Sequence, residues 1–328
     1  ALHDLNMSIC MMPDNYNAYF HRATFKRKLE DYDGAFKDYD AAIEMEPDNA
    51  QGYALRAVLK SEMGDYEGAL RDYDEAIRRM PPTAAMYYAR GYVRRKMGDW
   101  KGALADYDKT LRLEPKDPVA LYQRSYVKVK LDDQQGALKD LNTAIRYDSR
   151  NATAYNARGS LRAKMGDFNG AIEDYTTAIR MNPADPQFYR NRAESYAEAR
   201  RFREAIKDYD KVLEMIPDDI ETLAKRATAK GSSGDYEGAI SDYNTVIAFR
   251  PDAVWGYSGR ALAEAELGRY EASLADFDKV VELSPESADN YYCRALIKRY
   301  SGDLAGSRAD YDKAVALDAA YAQRPFGE

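Results

Sequence analysis

The chain has 328 residues, 45% of them hydrophobic and 31% charged, with a formal net charge of −7. That length exceeds the size at which one compact core keeps growing, and the composition carries no bias toward disorder. The acidic balance leaves no electrostatic footprint for nucleic acid, and no apolar run approaches the roughly 20 residues that membrane insertion requires.

Residues 1–10, ALHDLNMSIC, contain neither an initiating Met nor a signal-peptide pattern, so the sequence reads as a piece of a longer chain whose targeting segment is missing. Cys10 and Cys293 lie far apart and form no metal or redox spacing, which fits a reduced, cytoplasmic compartment. Asn6-Met7-Ser8 and Asn151-Ala152-Thr153 match the glycosylation sequon, a triplet that arises often by chance.

Residues 1–15 read as the second half of a repeat, with Pro13 in register. From there the phrase GDYEGALRDYDEAI (64–77) returns in step as GDWKGALADYDKTL (98–111), GDFNGAIEDYTTAI (166–179) and GDYEGAISDYNTVI (234–247). The period is 34 residues, giving nine units that start at 16, 50, 84, 118, 152, 186, 220, 254 and 288 and run without insertion to 321. Residues 322–328 form a short tail.

Each unit predicts helix, tight turn, helix, turn. Positions 8 and 20 are small throughout, as at Ala57 and Ala69, so two helices can approach closely. Position 24 is aromatic in eight units and Leu141 in the other, so positions 20, 24 and 27 make an apolar stripe at helical spacing. N-capping residues at position 34 (Asn15, Asn49, Thr83, Asp117, Asn151, Asp185, Asp219, Ser287) open the first helices. Gly at position 15 and Asp at position 16 mark the tight turn, and Pro at position 32 ends the second helix. One such hairpin cannot bury its own stripe, and stacking on neighbours solves that problem. The expected fold is an all-α solenoid of antiparallel helix pairs.

The period, the small-residue pair, the aromatic at 24 and the proline at 32 together resemble the tetratricopeptide repeat, over residues 1–321. The resemblance implies a right-handed superhelix whose first helices line a concave wall and whose second helices form the outer wall. Two departures stand out. Position 7 is Arg in all nine units, including Arg56, Arg90, Arg124, Arg158 and Arg192, and position 11 is mostly Lys or Arg. Position 23 is always Asp, including Asp72, Asp106, Asp140, Asp174 and Asp208. Such a series can be a ligand-binding ladder or an internal brace. The brace is favoured because position 7 shares a helix face with the small residue at 8; whether it acts within a unit or between neighbours stays open.

Catalysis finds no support: His3 and His21 have no partners at a recognisable spacing, and no nucleophile-elbow, phosphate-loop or zinc-helix motif occurs. No cofactor and no metal are expected. The resemblance assigns positions 2, 5, 6, 9, 12 and 13 to the concave wall. In units 1–5 these include Arg27, Lys28, Arg95, Lys96, Lys130 and Lys164 against one acid, Glu62. In units 6–9 they include Glu194, Glu198, Glu221, Glu266 and Asp289, with Arg190, Lys225 and Arg299 as bases. Tyr88 and Tyr92, and Tyr122 and Tyr126, stand four residues apart on neighbouring first helices, with Lys96 and Lys130 one turn further. These rings and lysines suit an extended acidic peptide, or the rings pack between first helices. Asn156 and Asn191 match only in part the Lys/Asn clamp by which some members hold a C-terminal carboxylate. The expected function is a non-catalytic scaffold that binds a protein or peptide. The alternatives are a spacer held in a larger complex by its convex face, and the recruiting arm of a longer enzyme.

Overall fold

The computed structural model describes residues 1–324 and 326; of the expected tail, residues 325, 327 and 328 lie outside the described residues. Among the described residues there are nineteen α-helices, one short 3-10 helix and no strand. The chain divides into two compact units, residues 1–158 and 159–328. The first holds α1 (Leu2–Met11), α2 (Tyr16–Lys28), α3 (Tyr32–Met45), α4 (Ala50–Glu62), α5 (Tyr66–Arg79), α6 (Ala84–Lys96), α7 (Trp100–Leu113), α8 (Pro118–Lys130) and α9 (Gln134–Tyr147). The division falls within α10 (Ala152–Lys164). The second unit continues with α11 (Phe168–Met181), α12 (Pro186–Glu198), α13 (Phe202–Met215), α14 (Ile220–Ser232), α15 (Tyr236–Phe249), α16 (Val254–Glu266), α17 (Tyr270–Leu283), α18 (Ala288–Tyr300) and α19 (Leu304–Leu317). Within each unit a first helix packs on its own second helix, and that second helix packs on the next first helix.

The recurring phrase is a turn written twice over. Gly64 and Gly98 in the first unit, and Gly166, Gly234, Gly268 and Gly302 in the second, take φ between 73° and 90°, the left-handed conformation that stops a helix. Glu30, Asp132 and Arg200 occupy the same turn position with φ of 62°, 63° and 58°. The next residue, as in Asp65 and Asp99, accepts a hydrogen bond from the glycine N–H three residues on. That glycine lets the cap close: a Cβ on Gly68 or Gly102 would lie 2.0 Å from the capping carboxylate oxygen and push it away. Where the cap is Arg201 or Arg269 instead, the third residue on is Glu204 or Ala272 and no side-chain cap forms.

At the first helices, Asn15, Asn49, Thr83, Asp117, Asn151, Asp185 and Asp219 each cap through their side chains. Ser287 does not, contrary to the sequence expectation; the Asn290 N–H goes instead to the Ser287 carbonyl at 3.2 Å. Small residues meet inside each hairpin: Ala57 and Ala69, and Ala193 and Ala205, are wholly buried. In two hairpins of the second unit the small residue is a serine, and Ser273 and Ser307 donate across to the carbonyls of Ala261 and Ala295, both at 2.7 Å.

Within each compact unit, rungs of guanidinium and carboxylate cross the hairpins beside this core. Arg56 donates from Nε and Nη2 to the two oxygens of Asp72 at 2.8 and 2.7 Å. Arg90 grips Asp106 in the same fork at 2.9 and 2.6 Å, and Arg124 grips Asp140 at 2.7 and 2.6 Å. The remaining nitrogen reaches back to the preceding second helix: Arg56 to Asp40 at 2.6 Å, Arg90 to Asp74 at 2.6 Å, Arg124 to Asp108 at 2.8 Å, Arg158 to Asn142 at 2.8 Å. In the second unit Arg192 grips Asp208 at 2.7 and 2.8 Å and reaches Thr176 at 3.0 Å. Each of these rungs therefore serves both its own hairpin and the one before it.

A second cation usually joins: Lys60 to Asp72 at 2.8 Å, Arg94 to Asp106 at 2.7 Å, Lys128 to Asp140 at 2.8 Å, Arg162 to Asp174 at 2.9 Å. Burial alone raises the Asp310 carboxyl, yet its bonds from Arg294 and Lys298 outweigh that and hold it below the usual carboxylate range.

Candidate binding surface

In the first unit, first helices pack beside one another, α2 on α4 and α4 on α6. The sequence-selected side chains sort into two sets on this layer. Tyr88 is half-buried with its ring 5.7 Å from that of Tyr107, and burial pushes its hydroxyl pKa up. Tyr122 is half-buried too and is shifted the same way by the same cause. Burial thus reaches both rings, as it does that of Tyr92.

Tyr92, Lys96, Tyr126 and Lys130 come together. Their centre is Arg95, whose guanidinium lies 5.1 Å from the Tyr92 ring on its own helix and 5.2 Å from the Tyr126 ring on α8. Lys96 stands 5.6 Å from the Tyr92 ring; Lys130 stands 5.6 Å from Tyr126 and 6.0 Å from Trp100. Trp100 and Tyr126 meet at 6.3 Å with their planes tilted by 56°. Lys96, Tyr126 and Lys130 are exposed. Among the described residues none of Arg95, Lys96 and Lys130 has a carboxylate partner, and the buried Arg95 Nε has no hydrogen bond. Glu62, the lone acid of this face, is taken by Arg27 at 2.9 Å.

Sequence reasoning placed Arg95 among the bases but gave it no role, and it passed over Trp100. Both gaps have one cause: the stacking crosses from α6 to α8 and to the start of α7, which helical spacing along one helix does not report. Asn156 is half-buried in the first unit, whereas Lys164 is exposed in the second.

Profiles of the tetratricopeptide repeat match residues 16–49, 54–118, 156–220 and 225–288, more than half of the chain. The chain belongs to the tetratricopeptide repeat family. Proteins of this family bind proteins or peptides, and the repeat is generally non-catalytic. Among solved structures, the repeat chain resembles a tetratricopeptide repeat protein from Parabacteroides merdae ATCC 43184, at 19% identity and a TM-score of 0.55, covering 79% of this chain and 98% of that one. It resembles YrrB, a TPR protein with an unusual peptide-binding site, at 26% identity and a TM-score of 0.50, covering 56% and 95%. It also resembles PilW, a type IV pilus biogenesis factor, at 16% identity and a TM-score of 0.54, covering 63% and 95%. No curated protein sequence matches it. Among the described residues no helix is long and apolar enough to cross a membrane.

Proposed function

We propose that this tetratricopeptide repeat chain is a non-catalytic scaffold that holds an extended, acidic protein segment on the first-helix face of its third and fourth repeats. The observation that carries the reading is the Arg95 guanidinium between the Tyr92 and Tyr126 rings, with Lys96 and Lys130 beside it and, among the described residues, no carboxylate to neutralise the three. A cation already stacked on two rings is pre-organised, so a ligand carboxylate meets it with little ordering of the side chain. The flanking lysines steer an acidic segment in, and the exposed Tyr126 ring with the half-buried Trp100 beside it gives its apolar residues rigid area. The family's general role and the peptide-binding site of YrrB support a peptide as the ligand class.

Panning a displayed random-peptide library against the full chain tests this. Sequences rich in Asp and Glu with interspersed apolar residues are expected, with an affinity that falls as salt rises. Lys96→Glu and Lys130→Glu together, at exposed positions that leave the fold intact, should weaken such a peptide at least about tenfold by fluorescence anisotropy. Enrichment without acidic residues, or equal binding by the double variant, sinks the reading.

A further inference from the structure

The second unit carries a cavity of about 730 Å³, within the range of roughly 300–1,000 Å³ that small-ligand sites occupy. The buried rings of Tyr175 and Tyr209 lie at its base, Phe168 and Phe202 wall it, and Glu194 and Glu198 of α12 stand at its edge. Its base is polar for a reason traceable through the repeats. In three repeats the position-24 tyrosine bonds a hydroxyl at position 9 of its own hairpin: Tyr39 with Thr24 at 3.1 Å, Tyr175 with Ser160 at 3.1 Å, Tyr243 with Thr228 at 2.9 Å. In the sixth repeat position 9 is Glu194, and its carboxylate turns away to the Lys225 ammonium of α14 at 2.5 Å. Tyr209 is 2% exposed and its hydroxyl makes no hydrogen bond to any described residue. The Tyr209 residue is buried, but its hydroxyl opens onto the cavity with no protein partner among the described residues, so it can bond a ligand there.

The charge at the edge says what that partner carries. Lys225 is held by Glu194 and, at 3.0 Å, by Glu221, so an ammonium is already stabilised at the mouth. Glu198, which also lines the cavity, has no ion pair among the described residues, so its carboxylate is left over once Glu194 and Glu221 have taken Lys225. We propose that the cavity takes the cationic side chain of an arginine or lysine in an extended polypeptide. The aliphatic stem lies between Phe168 and Phe202, the charged head meets Glu198, and one N–H donates to the Tyr209 hydroxyl. Aromatic walls with a carboxylate beside them suit such a side chain, whose stem is apolar and whose tip is charged. The proposal rests on the chain being a binder and not on the acidic-peptide site of the first unit.

Anisotropy titrations of the full chain with labelled Ala-Ala-Arg-Ala-Ala and Ala-Ala-Gln-Ala-Ala peptides test it. The Arg peptide should bind about tenfold tighter. Glu198→Gln should remove that preference, Tyr209→Phe should weaken the Arg peptide several-fold with an unchanged melting temperature, and Lys225→Met, which frees Glu194, should strengthen it. Equal binding of the two peptides, or an Arg preference that survives Glu198→Gln, overturns the assignment. Free butylguanidinium binding as tightly as the Arg peptide overturns the polypeptide part of it. None of these outcomes depends on the acidic peptide, because Lys96→Glu and Lys130→Glu leave this cavity unaltered.

Discussion

The third repeat (residues 84–117) and the sixth (186–219) have the same length and the same helices but differ in almost every accessory feature. The third turns through Gly98, caps α7 with Asp99 over Gly102, and adds Arg94 to its rung. The sixth turns through Arg200 at φ 58°, has Arg201 where the cap belongs, and has Tyr196 in place of the second cation. The Tyr196 ring instead lies 5.8 Å from the Arg192 guanidinium and 4.7 Å from that of Arg201. What the two share is the guanidinium fork, Arg90 on Asp106 and Arg192 on Asp208. The energetics explain which feature is dispensable. A non-glycine residue in the left-handed region costs about 1–2 kcal/mol, and a missing cap about 1. A buried carboxylate stripped of its partner costs about 3–5.

Breaking the shared feature should therefore have the largest effect. Asp106 is wholly buried between Arg90 and Arg94, so Asp106→Ala takes the shared buried carboxylate from both guanidinium groups, leaving Arg90 only Asp74 and Arg94 only Asp99, and should destabilise by about 3–5 kcal/mol in chemical denaturation. Asp208→Ala exposes one, Arg192, and belongs at the lower end of that range. Losses below about 1 kcal/mol for both would mean the rungs behave as surface pairs.

The turn separates the two repeats more sharply. Gly102→Ala drives a Cβ against the Asp99 carboxylate and should lose the cap, about 1–2 kcal/mol. Glu204→Ala, at the same position in the sixth repeat, has no cap to disturb and should stay within about 0.5 kcal/mol. A similar cost at both positions would show that the glycine serves something other than the cap.

These contrasts also mark what could be read from the residues alone. The fold was legible because the hairpins repeat a small pair, a ring and a turn at one spacing, and nine copies average out local exceptions such as Leu141 and Arg200. The partners of Arg56, Arg90 and Arg124 were half legible: Asp at position 23 is invariant, while the acceptors Asp40, Asp74, Asp108, Asn142 and Thr176 vary in chemistry. What they have in common is an oxygen that can accept, a property hidden by residue names. The basic cluster was legible at Tyr92, Lys96, Tyr126 and Lys130, whereas the Tyr209 cavity was not. A cavity depends on which way Glu194 turns, and only its contact with Lys225 on α14 shows that.

Exchanging the turn residues should give a smaller change of opposite sign in the two repeats. Arg200→Gly removes the strain of a side chain at φ 58° and should stabilise by about 1 kcal/mol. Gly98→Arg imposes it and should destabilise by a like amount. Melting temperatures moving the same way in both variants would contradict the assignment of strain.

The smallest difference lies in how the first-helix caps respond to acid. The cap of α6 is Thr83, which does not titrate, whereas α14 is capped by Asp219. Burial raises the Asp219 carboxyl, but its bonds from the Thr222 hydroxyl at 2.8 Å and backbone N–H at 3.1 Å, together with Arg190, outweigh that and hold it below the ordinary value. A carboxyl depressed in the folded state adds stability that is complete above the unfolded value of about 3.9 and disappears as pH falls through the folded one. Asp219→Asn keeps an acceptor at the cap without the titration. Its deficit against the wild type should hold steady from pH 7 to pH 5 and shrink below about pH 4. The Thr83→Ala deficit should stay constant across the same interval, because neither form of that cap binds a proton. Amide exchange in α6 and α14 reads the two caps separately, and an Asn variant that parallels the wild type down to pH 3 would show that the Asp219 charge contributes nothing.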